Sequence, residues 1–96
     1  MKIKINEELK DAQGKSIPGE RGEVITLKEV CIVSILSVVQ GDDQQTKMLK
    51  YDLFKKLREA TVEVDLTAEE ITVVKKAIAH FQPQLIMGQC FEMIEK

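Results

Sequence analysis

The stretch Ile25-Thr-Leu-Lys-Glu-Val-Cys-Ile-Val-Ser-Ile-Leu-Ser-Val-Val39 is the most apolar part of the chain, and the rest of the sequence has to cover it. Thr26 and Glu29 stand at the two ends of a capping box, in which each side chain takes up a backbone N–H that the first helical turn leaves unpaired. Ile25 and Val30 occupy the positions of a hydrophobic staple around the same cap, so a helix is predicted to begin at Leu27. At about 100° per residue, Leu27, Val30, Cys31, Ile32, Val33, Ile35, Leu36, Val38 and Val39 point nearly all round its axis, which predicts a helix enclosed on every side. The β-branched residues are compatible with a buried strand as well, and the doubled start signal favours the helix. Its end is expected near Gln40-Gly41, where glycine can take the left-handed conformation that closes a helix.

Around this segment the sequence predicts one compact domain over 1–96, divided into a hairpin and loop over 1–25 and a helical part over 26–96. A chain of 96 residues that is 44% hydrophobic can bury a single core without disulfide or metal staples. Lys2-Ile3-Lys4-Ile5 alternates with the period of a half-buried strand, and Asp11 and Gly14 bracket a type I turn, so Lys15-Ser16-Ile17 is expected to return antiparallel as a hairpin. Asp42 or Asp43 can cap a second helix reaching about Glu59, with Leu49, Leu53, Phe54 and Leu57 inward and Gln45, Asp52 and Lys56 outward. Thr61 to Leu66 alternates again, as a short strand or extended linker. Thr67 and Glu70 then repeat the capping box, with Leu66 and Ile71 as its staple. Ile71, Val74, Ile78 and Phe81 form the inner face of this third helix, which Gln82-Pro83 ends; Pro83 can open a fourth, to about Glu95. The predicted class is therefore mainly α within α+β, about four helices packed round a central apolar one, with an N-terminal β-hairpin.

Charge and reactive residues narrow the function. Fourteen basic against sixteen acidic residues leave a formal charge of −2, which gives no bulk attraction to nucleic acid or anionic membranes. The longest apolar run is interrupted by serine and falls well short of the roughly 20 residues that span a bilayer. His80, the single histidine, has Lys76 and Gln84 as its helical neighbours, which make neither a triad nor a zinc site, so it reads as a surface or boundary residue. Cys31 and Cys90 lack a CxxC or Cys/His spacing and read as core residues of a reducing compartment. The pairs Glu7-Glu8, Asp42-Asp43 and Glu69-Glu70 are of the kind that bind magnesium or move protons, yet the last two fall at helix starts, where negative charge suits the macrodipole. The glycines do not form a phosphate-binding loop. The expectation is a protein that is not an enzyme and uses no cofactor or metal.

Two surfaces remain as candidates for binding. The fourth helix carries a wide apolar arc, Ile86, Met87, Cys90, Phe91, Met93 and Ile94; its edge, Met87 and Phe91, is the predicted partner-binding or self-association patch, weighed against simple burial. On the second helix, over 43–59, Lys47, Lys50, Tyr51, Lys55 and Arg58 combine cations with an aromatic ring, the alternative of a small nucleic-acid-binding regulator.

Gly14-Lys15-x-Ile17, Leu27-Lys-Glu-Val30, Tyr51-x-Leu53, Val64-Asp-Leu-Thr-Ala-Glu-Glu-Ile71 and Pro83-x5-Gln89, with Gly88 before the glutamine, resemble a family of short uncharacterised proteins encoded by tailed phages and prophages. The similarity covers nearly the whole chain, and its motifs are caps, turns and core positions. The resemblance implies a bacterial cytoplasm during infection or lysogeny, no established activity, and no catalytic residues to carry over. With it, the function expected is a non-catalytic protein–protein interaction module in particle assembly or host takeover, whose partner is a phage or host protein or a second copy.

Overall fold

The computed structural model describes residues 1–19, 22–37 and 41–95. Along the chain run β1 (Lys2–Lys4), α1 (Leu27–Leu36), α2 (Gln44–Glu59), β2 (Glu63–Asp65), α3 (Ala68–Phe81) and α4 (Gln84–Glu95). The mainly helical α+β class with four helices is therefore borne out. α1 sits at the centre, packed on α2 and α3, while α4 closes against α3 and β1. Among the described residues no helix is long and apolar enough to cross a membrane.

The helix starts lie where local chemistry puts them. The Thr67 hydroxyl accepts from the Glu70 N–H at 3.1 Å while the Glu70 carboxylate accepts from the Thr67 N–H at 2.9 Å, a closed capping box. Asp43 rather than Asp42 caps α2, accepting from the Thr46 N–H at 2.8 Å. At α1 the Glu29 carboxylate accepts from the Thr26 N–H at 3.3 Å, a looser box. There the next two N–H groups find other acceptors: Leu27 donates to the Glu7 carbonyl and Lys28 to the Ile5 carbonyl, each at 2.9 Å. The N-terminal segment thus caps the central helix with its own backbone.

Three expectations are corrected. First, β1 forms, but its partner is not 15–17: it pairs antiparallel with β2, Lys2 opposite Asp65, Ile3 opposite Val64 and Lys4 opposite Glu63. The turn at Asp11–Gly14 is present, with Gly14 at φ +83°, and it closes Lys10 onto Ser16. A turn that tight fixes the register, sending 15–17 back along 9–11 and leaving Ile3 to find Val64, which faces the same core. Second, α1 ends at Leu36, with Ser37 closing it in an extended conformation, earlier than Gln40-Gly41; Val38, Val39 and Gln40 lie outside the described residues. Third, α1 is not enclosed all round: Val33 and Leu36 are 49% and 52% exposed, and Phe81, expected on the inner face of α3, is 50% exposed. One side of α1 has a neighbour at each level, and the other runs past the layer of helices.

The N-terminal segment closes on itself through residues 9, 17 and 25. Leu9 donates its N–H to the Ile25 carbonyl at 2.9 Å, Ile25 to Ile17 at 2.9 Å, and Ile17 back to Leu9 at 3.3 Å. Three extended segments so joined satisfy one another without a regular sheet. Leu9 is fully buried beneath the ring. Gln89 of α4 holds the ring from outside, its carboxamide accepting from the Lys10 N–H at 2.8 Å and donating to the Lys10 carbonyl at 2.7 Å. One core results, in which Ile3, Ile5 and Leu9 join Leu27, Leu53, Leu57, Ile78 and Cys90.

Candidate protein-docking groove

The uncovered side of α1 becomes a site because of what stands beside it. α3 stops at Phe81, and Gln82-Pro83 turns the chain into α4. Gln82 is fixed twice there: its N–H donates to the Ile78 carbonyl at 2.9 Å and its carboxamide donates to the Ser34 hydroxyl at 3.2 Å. Ser34 is a fully buried polar side chain of α1, so this bond ties the α3–α4 corner to the central helix and leaves no orphaned hydroxyl. The corner sets Phe81 and Ile86 across from Val30 and Val33, and the ring of the N-terminal segment supplies the third wall with Ile17 and Ile25. Between them lies an open groove of about 630 Å³.

The described walls of the groove are largely apolar, and the charge among them has one sign. Among the described residues that line it, Glu23 and Glu29 are charged and both are acids. Part of the Glu29 carboxylate is committed to the α1 cap. Glu23 is held close by Gly19, whose N–H donates to the Glu23 carbonyl; a Cβ at Gly19 would stand 3.0 Å from that carbonyl oxygen and 3.1 Å from the Glu23 Oε1. Glycine at 19 is what permits this approach.

The residues singled out from the sequence lie elsewhere. Met87 and Phe91 are half-buried and pack against the core, and the Lys75 ammonium sits 5.2 Å above the Phe91 ring. Of the fourth helix, Ile86 lines the groove, and Leu85 is 46% exposed. Val33 and Phe81, which matter most for the groove, read as core residues by their apolar character alone. The available signal was the position of Phe81 at the end of its helix, immediately before Gln82-Pro83, where the chain changes direction.

On α2, Lys50 is 9% exposed and pairs with Asp42 at 2.5 Å, which removes it from the basic surface. Lys55 lies 3.6 Å from Asp52 and 5.0 Å from the centre of the Tyr51 ring, and the Arg58 guanidinium lies 5.3 Å from that of Phe54. Lys47 and the half-exposed Tyr51 border a smaller cleft of about 280 Å³ beside Leu36. Of the five residues read as a nucleic-acid face, Lys47, Tyr51, Lys55 and Arg58 share the outer side of α2.

The remaining reactive groups do not line the groove. His80 is exposed at the end of α3. Cys31 and Cys90 are free and buried; burial pushes the Cys31 thiol up to about 12, with the Cys90 charge adding to it, and burial pushes Cys90 up to about 11. Of the paired acids, Asp43 and Glu70 serve caps, Asp42 pairs with Lys50, and Glu8 accepts from the Ser16 hydroxyl at 2.8 Å. Among the described residues no group of three or more His, Cys, Asp or Glu side chains is placed to hold a metal ion. No known protein family, no curated protein and no solved structure matches the chain.

Proposed function

We propose that this protein is a non-catalytic protein–protein interaction module of phage or prophage origin, serving particle assembly or host takeover in the bacterial cytoplasm, and that the groove beside α1 is its docking site. The origin rests on the resemblance of its capping and turn motifs. The docking role rests on one observation: Val33 and Phe81 are half-exposed on two different helices and line the same apolar groove. Apolar side chains scattered singly are ordinary on a protein surface, whereas a contiguous concave set marks a place where a partner removes them from water. The nucleic-acid alternative has less behind it, since Lys50 is spent on Asp42.

Affinity capture from bacteria carrying the phage or prophage tests this reading, with the tagged wild type run beside Val33→Ser and Phe81→Ser. Both positions are half-exposed, so both variants should fold. The expected result is a species that the wild type retains and both variants lose. Recovery of identical species by all three proteins removes the groove from the function.

A further inference from the structure

We infer that the groove is built to receive the outer face of α2 from a second copy of this chain, giving a head-to-tail contact. This inference rests on the groove being a docking site, and it names the occupant. At about 100° per residue, Lys47, Met48, Tyr51, Lys55 and Arg58 fall within an arc of about 100° on α2. Met48 and Tyr51 are 52% and 50% exposed, so the arc presents two large apolar side chains among three cations, of which Lys55 pairs with Asp52 at 3.6 Å just outside it. The groove is its complement: apolar walls, and Glu23 and Glu29 as the charges among its described lining residues. The exposed apolar residues of α2 lie on the side away from Leu53 and Leu57, which already give that helix its core contact.

Laying an amphipathic helix into an apolar groove is a common way for one protein to hold another. Here the cations of the arc lie beside the apolar anchors. The Lys55 ammonium rests 5.0 Å from the centre of the Tyr51 ring in an exposed and therefore weak pair with Asp52, and Lys47 stands one turn before Tyr51 on the same face, so Tyr51 entering the groove brings net positive charge toward its acidic side. Opposite charges at the edge of the contact fix orientation and speed encounter, while the buried aromatic supplies most of the affinity. Because groove and arc are different surfaces, a single contact leaves one copy with a free groove and the other with a free arc. A head-to-tail contact of this kind is heterologous, and it propagates into a ring or a filament.

The test is the mass in solution, by sedimentation and light scattering, of the full chain and two variants over a range of concentrations. Phe81→Ser with Glu23→Lys disables the groove; Tyr51→Ser with Lys55→Glu disables the arc. Each variant should melt cooperatively and associate about tenfold or more weakly than the wild type, as expected for loss of a central anchor. Mixed in equal amounts, the two variants should form a dimer that does not grow further, since the mixture holds one intact groove and one intact arc. Should either variant fail to fold, the single changes Phe81→Ser and Tyr51→Ser take its place, with the same outcome expected on mixing. A wild type that stays monomeric throughout overturns the inference, as does a mixture that gives no dimer. If the wild type is monomeric while the groove variants still lose a captured bacterial or phage protein, the docking site stands and its occupant is another chain; if capture is also unchanged, the docking site fails as well.

Discussion

The orientation of α1 decides whether the groove exists, and two aspartates placed two residues apart would measure it. Ile35 is 2% exposed and Val33 is 49% exposed. Ile35→Asp removes a fully buried side chain, a change of about 2–5 kcal/mol for large-to-small substitutions at such sites. It also takes a carboxyl group out of water in the cleft that Ile35 shares with Asp42, which already holds Lys50, adding a few kcal/mol more whether the group is charged or takes up a proton to stay neutral. Against a stability of about 5–14 kcal/mol for a domain of this length, that loss consumes most or all of the margin. Val33→Asp gives up half of the burial of a valine, about 1 kcal/mol. Its charge stays in water, and an acid near the C-terminal end of a helix costs up to about 1 kcal/mol through the macrodipole. The expected total is about 1–2 kcal/mol. Urea denaturation followed by circular dichroism separates the two: Val33→Asp should unfold cooperatively with its midpoint lowered by about 1 M or less, and Ile35→Asp should show no cooperative transition. If Val33→Asp fails in the same way as Ile35→Asp, the Val33 side of α1 is core and the groove loses a wall.

Three further outcomes follow from contacts already described. Thr67→Ala should cost about 1 kcal/mol and Thr26→Ala clearly less, because the α1 box is the looser one and its first turn is held by the Leu27 and Lys28 N–H bonds to the Glu7 and Ile5 carbonyls, which the substitution leaves in place; equal shifts in the urea midpoint would contradict this division. The native carboxyls of Asp43, Asp65 and Glu70 are held below their ordinary values: Asp43 by the Thr46 N–H, Asp65 by the N-terminal ammonium, and Glu70 by the Thr67 N–H and Lys56, which together outweigh the burial that would raise it. Groups depressed in the folded state contribute their full stability above the unfolded pKa of about 4 and lose it as pH falls through the folded value. The urea midpoint should therefore fall steadily below about pH 4, less steeply in Glu70→Gln; a flat acid profile would show those bonds to be worth nothing. Finally, Cys31 and Cys90, raised to about 12 and about 11, should resist alkylation by iodoacetamide at pH 8 until denaturant is added, and fast labelling of the native protein would place a thiol at the surface.

What could be read in advance was what the chain decides locally. Thr26 with Glu29, Thr67 with Glu70, and Asp43 before Gln44 each act within one helical turn, so the starts of three helices were visible in the letters. Pairing of β1 was not visible, because Ile3 and Val64 lie far apart in sequence and any alternating segment offers the same inward face. Enclosure of α1 was misjudged for a related reason: a helix apolar all round does not say which of its sides will have neighbours. The same limit applied to the site. Phe81 and Val33 look like core residues by composition, and only the corner at Gln82-Pro83, pinned to Ser34, shows that both run past the core. Met87 and Phe91, read as an edge, are half-buried against it.

The groove differs from a gap left by imperfect packing in that each of its walls is held by bonds made elsewhere. Ile17 and Ile25 belong to the backbone ring with Leu9, which Gln89 clamps from α4. The α1 wall is fixed at its start by Glu7 and Ile5, and the Phe81 wall by the bond from Gln82 to buried Ser34. A surface so fixed loses little conformational entropy when a partner arrives, which is the condition under which a modest apolar contact yields useful affinity. Stability does not require apolar residues at 33 and 81, because Leu27, Val30, Cys31 and Ile35 already give α1 its core contact and Ile71, Val74, Ala77 and Ile78 do the same for α3. Polar residues at these two positions would cost the fold little and improve solubility. Valine and phenylalanine there are what a partner helix needs to find, and that asymmetry between what the fold uses and what the surface displays favours a docking role over incidental exposure.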